Sequence, residues 1–220
     1  MLKAIIFDFD GVILDTAEKN YLSYKHIFLQ LGINYLREEF NLNFGMRTKD
    51  HLNDVLKKSG FILSEEELDE LVLKRDEFYR KRWEGSIEML PGMESILKEL
   101  KENNIKIAIA SLTHRNNLDF FIEKLGLKEY IDNSVAGNEV SAEKPSPEIY
   151  LKACSELGVS PDLCVGVEDT EKGVASLRGA GIKSIAVTLT NTKKHNFSNA
   201  NLVVSSLEQI NLKKLLQLLF

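Results

Sequence analysis

Ala4-Ile5-Ile6-Phe7-Asp8-Phe9-Asp10-Gly11-Val12-Ile13-Leu14-Asp15-Thr16 joins a wholly apolar run to a cluster of acids. A short run with no polar alternation is what a parallel strand covered on both faces requires. Residues 3–7 are therefore predicted to be a buried strand. The same texture recurs at 105–110, 163–167 and 184–187, with helical periodicity between the runs. Strands alternating with helices specify an α/β fold, a doubly wound parallel sheet with helices on both faces. Ser146-Pro147 reads as a helix start, and Gly126, Gly158 and Gly181 read as helix stops.

Residues 17–83 differ. They carry charged, amphipathic helical periodicity and no strand-like run. Leu22, His26, Leu29 and Leu31 approximate one apolar face closing at Gly32, and Ser64 followed by Glu67 resembles a capping box opening a helix that runs toward Trp83. The predicted organisation is a core of residues 1–15 and 84–220 and a helical insert of residues 16–83, joined by short crossings near Thr16 and residues 84–90.

The chain has 220 residues, of which 44% are hydrophobic and 28% charged, with 13 Gly and 4 Pro, a composition that excludes collagen-like and disordered classes. Its net charge of −5 is spread without a basic stripe, so neither nucleic acid nor an anionic membrane surface is an expected partner. No apolar run approaches a membrane span, and the first residues lack the apolar region of a secretory signal. Cys154 and Cys164 have neither metal-ligand nor redox spacing and read as reduced core residues. A cytoplasmic monomer acting on a small molecule is the expectation, and the basic stretch Lys193-Lys194-His195 is expected to be a solvated loop.

Asp8 and Asp10 follow the first strand directly, at the carboxyl end of a parallel strand, where α/β sheets bind ligands. Two carboxylates so close repel unless a cation neutralises them, and hard oxygen donors of this kind favour Mg²⁺. More acids are then expected at other strand ends. Gly166-Val167-Glu168-Asp169-Thr170 supplies them. Ser111 adds a hydroxyl after the run at 105–110, and Glu143-Lys144-Pro145 a cation before a helix start.

With those motifs in place, the whole chain resembles the haloacid dehalogenase superfamily, in the group similar to β-phosphoglucomutase and phosphoglycolate phosphatase. The resemblance implies a Rossmann-like core bearing an inserted α-helical cap. It implies that Asp8 is a nucleophile forming an aspartyl-phosphate and that Asp10 is the general acid and base. Ser111 and Lys144 would bind phosphate, and Asp8, the Asp10 carbonyl, Glu168 and Asp169 would hold magnesium. An Asp at position 10 sets the chain apart from true haloacid dehalogenases, where that position resembles Tyr, and from P-type ATPases, where it resembles Thr.

Selectivity is then expected from the cap. Arg47, in Gly45-Met46-Arg47-Thr48, and Arg75 are the candidates for binding a second anionic group, and His114 follows Ser111 closely enough to be weighed as a substrate contact. β-Phosphoglucomutases carry Gly-x-Ser-Arg in the cap loop and a His five residues beyond the hinge aspartate. This chain has Gly-Met-Arg-Thr and Asn20. The resulting expectation is a magnesium-dependent phosphatase of a small, sugar phosphate-like monoester. A phosphosugar mutase is the alternative, and a non-catalytic module that binds a phosphorylated metabolite stands third.

Overall fold

The computed structural model describes residues 1–85, 87–189 and 195–219. Its strands are β1 (Ala4–Phe7), β2 (Lys106–Ala110), β3 (Asn133–Val135), β4 (Cys164–Glu168), β5 (Lys183–Val187) and β6 (Leu202–Val204), all parallel in one six-stranded sheet ordered β3-β2-β1-β4-β5-β6. The helices are α1 (Ala17–Gln30), α2 (Arg37–Asn43), α3 (Thr48–Lys58), α4 (Glu65–Lys81), α5 (Met93–Glu102), α6 (Arg115–Lys124), α7 (Glu148–Leu157), α8 (Glu171–Gly179) and α9 (Leu212–Gln217). The chain divides into two compact units, Met1–Asp15 with Glu88–Phe220, and Thr16–Ile87.

In the sheet unit, every residue of β1 is buried, as helices on both faces demand. On the side that receives α7 and α8 most alternate positions of the central strands are small, Ile6 being the exception. Ala4, Ala108 and Ala110 join Ile149, Tyr150, Ala153 and Leu177 in one cluster. Gly166 completes that surface, because a Cβ there would lie 2.1 Å from Leu177 Cδ2. Large residues at these positions would hold the helices off the sheet. Each fully buried Val, Ile or Phe contributes about 1.5–3 kcal/mol by leaving water.

Register places the strand ends level. Phe7 pairs with Ile109 on one side and with Val167 on the other. The residues that follow, Asp8, Ala110-Ser111 and Glu168, therefore emerge at one edge of the sheet.

The four strands expected from apolar runs are present, and β3 and β6 join them. These two are edge strands of three residues, and Val203 is solvent-exposed, so they lack the continuous apolar run that marks the centre. Helix α7 begins at Glu148, after Pro147, one residue later than a Ser146 cap would place it, and ends at Gly158 in the left-handed conformation. Cys154 and Cys164 are buried free thiols. Among the described residues no helix is long and apolar enough to cross a membrane. Lys193 and Lys194, in the loop expected to be solvated, lie outside the described residues.

The helical unit packs around aromatic side chains. Helix α1 turns Tyr21, Tyr24, Ile27 and Phe28 inward, while Leu29 is 68% exposed. The face expected at Leu22, His26, Leu29 and Leu31 is thus rotated: rings at 21, 24 and 28 bury more area than the leucines and set the orientation. The capping box at α4 forms as expected. Ser64 Oγ accepts from the Glu67 amide at 3.2 Å, and Glu67 Oε2 accepts from the Ser64 amide at 2.8 Å.

Candidate active site

Asp8 leaves β1 with its amide still donating to the Val167 carbonyl at 2.9 Å, so the sheet itself sets its position. The chain then turns sharply. Gly11 adopts φ +82°, a conformation that a side chain disfavours, and its amide closes the turn on the Leu14 carbonyl at 2.8 Å.

Lys144 reaches this edge from the segment before α7, and its buried ammonium makes three hydrogen bonds. It donates to Asp8 Oδ1 and to Glu168 Oε1, each at 2.6 Å, and to the Ala110 carbonyl at 3.1 Å. It thereby ties together the ends of β1, β2 and β4. The Tyr150 hydroxyl, from α7, donates to the same Glu168 Oε1 at 2.5 Å. Glu168 Oε2 accepts from the Asp169 amide at 3.1 Å, the Thr170 amide at 3.3 Å and the Thr170 hydroxyl at 3.1 Å. The carboxylate lies on the first turn of α8, where a Cβ on Gly173 would sit 1.9 Å from the Glu168 carboxyl carbon.

Asp8, Glu168 and Asp169 each present a carboxylate oxygen within 4.8 Å of the others, and all three residues are buried. Burial, with repulsion from Glu168 and Asp10, raises the Asp8 carboxyl to about 8 against the pull of Lys144. Burial and the charges of Asp8, Glu168 and Asp10 likewise hold Asp169 well above the ordinary carboxylate range. Burial alone would lower Lys144, but the Asp8 and Glu168 charges outweigh it and raise it. Several acids face one ammonium. The donor set, all hard oxygen in a dry site, fits a divalent cation that would restore the charge balance.

Asp10 stands beside this cluster. Its Oδ2 accepts from the Thr113 hydroxyl at 2.7 Å and from the Ser111 hydroxyl at 3.3 Å. Asp8, Lys144, Glu168 and Asp169 are thus joined by hydrogen bonds or ligand-range spacing, and Asp10 and Ser111 by a hydrogen bond to each other, with the Asp10 charge close enough to act on Asp8 and Asp169.

A profile of the haloacid dehalogenase-like hydrolases matches residues 5–187, which contain the whole of this cluster. The chain belongs to that family. β-Phosphoglucomutase of Bacillus subtilis is 32% identical to this hydrolase over 190 residues, 84% of this chain and 83% of the relative. A phosphorylated carbohydrates phosphatase of Thermotoga maritima is 28% identical over 184 residues, 84% of each. Among solved structures, CbbY from Rhodobacter sphaeroides in complex with xylulose-1,5-bisphosphate superposes with a TM-score of 0.87 at 27% identity, covering 96% of this chain and 97% of that one.

The hydrolase's remaining candidates are engaged by local partners. Arg75, expected to meet a second anionic group, is 2% exposed inside the helical unit. It donates to Asp76 Oδ1 at 2.9 Å and to Asn20 Oδ1, and stacks over the rings of Tyr24 and Tyr79 at 4.3 and 4.5 Å. Arg47 Nε donates to Asp50 Oδ2 at 2.7 Å, across the first turn of α3. His114 caps α6, its Nδ1 accepting from the Asn116 amide at 3.4 Å. Tyr150 and Thr113 went unrecognised in the sequence. Tyr150 reads as one more core aromatic, and Thr113 carries no motif of its own. Only the fold brings Thr113 to Asp10, 103 residues away.

Proposed function

We propose that this hydrolase is a magnesium-dependent phosphatase of a small, sugar phosphate-like monoester, acting through phospho-Asp8. The observation that carries the reading is the Asp8 carboxylate gripped by Lys144 at 2.6 Å beside Glu168 and Asp169. A nucleophile needs that placement for in-line attack, and phosphoryl transfer depends chiefly on positioning and charge neutralisation. Asp8, the Asp10 carbonyl, Glu168 and Asp169 would hold the magnesium ion. When bound, the ion supplies positive charge to the carboxylates and to the phosphoryl oxygens.

An Asp8 oxygen attacks phosphorus, the bond from phosphorus to the ester oxygen breaks, and that oxygen leaves with the proton of the Asp10 carboxylic acid. Asp10, now a carboxylate, then takes a proton from water as the water oxygen attacks the phosphoaspartate. The products are inorganic phosphate and regenerated Asp8. General acid–base action of this kind contributes about 10²–10⁴-fold. Lys144 stays charged throughout, and it and the Ser111 hydroxyl are the donors for the phosphoryl oxygens.

A phosphosugar mutase is the second reading, favoured by the relative of that activity at 32% identity. The phosphatase is preferred because both cap arginines are engaged within the helical unit, Arg75 by Asp76 and Asn20 and Arg47 by Asp50. A mutase must handle a sugar bisphosphate, whereas hydrolysis of a monoester makes no demand on a second anion site.

Hydrolysis of p-nitrophenyl phosphate with magnesium is the direct test. Asp8→Asn should reduce turnover on the order of 10³-fold or more, and chelation should do the same. Full activity in that variant would remove phospho-Asp8 from the mechanism. Formation of glucose 6-phosphate from β-glucose 1-phosphate and a bisphosphate activator, in place of free phosphate, would reverse the order of the two readings.

A further inference from the structure

We infer that Thr113 is the positioning residue for Asp10, the side chain that aims its proton at the ester oxygen. The inference rests on the reading of Asp10 as general acid and base, and adds a residue to it. An aspartate on a loop has two side-chain torsions to lose before it can deliver a proton in one direction. The Thr113 hydroxyl bonds Oδ2 at 2.7 Å, shorter than the Ser111 bond to the same oxygen at 3.3 Å. Anchoring Oδ2 restrains both torsions and so sets where Oδ1 presents its proton.

Ser111 cannot serve this purpose during turnover. Its hydroxyl carries a single proton. Once its hydrogen bond is made to a phosphoryl oxygen instead, the Thr113 hydroxyl still holds Asp10. Threonine also suits the task, because its branched Cβ limits the rotamers from which the hydroxyl donates.

The turn that carries Thr113 is itself held firmly. The Thr113 amide donates to Ser111 Oγ at 3.1 Å, and its carbonyl accepts from the Gly137 amide at 3.0 Å. Gly137 presses against this turn so closely that a Cβ there would lie 2.2 Å from the Leu112 carbonyl oxygen. Two residues on, Arg115 forks onto Glu139 at 2.9 and 2.7 Å and reaches the Ser134 carbonyl at 2.7 Å. The loops after β2 and β3 therefore brace each other, and Thr113 is the point at which that brace meets Asp10.

Leaving-group dependence provides the test. p-Nitrophenolate departs readily without a proton, whereas phenolate gains more from one. Thr113→Val should lower kcat/KM on phenyl phosphate about tenfold more than on p-nitrophenyl phosphate, a loss of the size expected from a misplaced catalytic group. Thr113→Ser, which keeps the hydroxyl, should stay within about threefold of wild type on both substrates. The magnesium activation midpoint should not move in either variant. Thr113→Ala serves as a second hydroxyl-free variant if the valine fails to fold, checked by circular dichroism.

An equal loss on both substrates, or a serine variant no better than the valine, would overturn the inference. Asp10→Asn, run in parallel, separates the two levels. If it shows the selective loss on phenyl phosphate while Thr113→Val keeps the wild-type ratio, only the positioning of Asp10 by Thr113 is lost. If Asp10→Asn shows no such selectivity, the acid role of Asp10 falls, and the role of Thr113 with it.

Discussion

Glu168 is the residue on which the acidic site turns. Its carboxylate accepts from Lys144, Tyr150, Thr170 and two backbone amides, enough donors to hold it in one orientation between β4 and α8. Tyr150→Phe removes one of these donors and nothing else. A hydrogen bond to a charged group contributes about 1.5–3 kcal/mol, so the variant should lose stability in that range, read as a lower urea midpoint with an unchanged slope. Lys144→Met is more severe. It leaves Asp8 and Glu168 buried without their cation, and breaking such a pair costs about 3–5 kcal/mol. Its thermal midpoint should fall well below wild type and rise with added magnesium more steeply than wild type does, because the ion would replace the missing charge. A midpoint in that variant indifferent to magnesium would count against a metal at Asp8. Lys144 was legible from Glu143-Lys144-Pro145, but its three simultaneous acceptors were not, since they come from three strands far apart in sequence.

The element that decides the acidic site is the first turn of α8. Thr170 caps it by accepting from the Gly173 amide at 3.1 Å, and the helix begins so close to β4 that Gly173 faces the Glu168 carboxylate directly. Gly173→Ala is favourable for a helix in isolation. Here the added methyl must displace a carboxylate that is already held from several sides. The expected outcome is a weaker magnesium activation midpoint and at least about tenfold lower kcat with helix content preserved, since outer supports of a metal site typically matter 10–100-fold. A variant with wild-type magnesium dependence would show that Glu168 is not needed where it stands. Elements also mark the limit of pattern reading. The central strands announce themselves because both faces are buried, whereas Asn133–Val135 and Leu202–Val204 sit at the sheet edges, partly solvated, and carry no comparable signal. In α1 the periodicity was visible but its phase was not. Leucines and aromatics compete for the interior, and the choice depends on what the neighbouring helices offer.

At the scale of the whole molecule, acid acts on the helical unit through His51. His51 lies in the helical unit at 2% exposure. Its Nε2 meets the Tyr35 hydroxyl at 2.5 Å, and its ring stacks on Tyr24 at 4.0 Å. Burial, with Arg75 and, more weakly, Lys58 disfavouring its charge against the opposing pull of Asp54, lowers its pKa to about 3. The folded value lies below the unfolded one, so the unfolded chain takes up the proton first as pH falls. His51 therefore leaves stability undiminished above about pH 6.5 and erodes it between there and about pH 3, by up to ~1.4 kcal/mol per pH unit. Urea midpoints of wild type and His51→Gln, compared from pH 7 to pH 4, should show a steeper decline in wild type. Parallel declines would assign acid sensitivity to other groups.

Local chemistry, read along the chain, determined the buried central strands, the helices that follow Thr16 and the acids at two strand ends. Each of these depends on residues adjacent in sequence or repeating at a fixed period. The tertiary structure alone decided that Arg75 would be enclosed among tyrosines, that Tyr150 would hold Glu168 and that Thr113 would reach Asp10. Those contacts join residues separated by long stretches of chain, and their geometry follows from sheet register and helix packing, which no local pattern encodes.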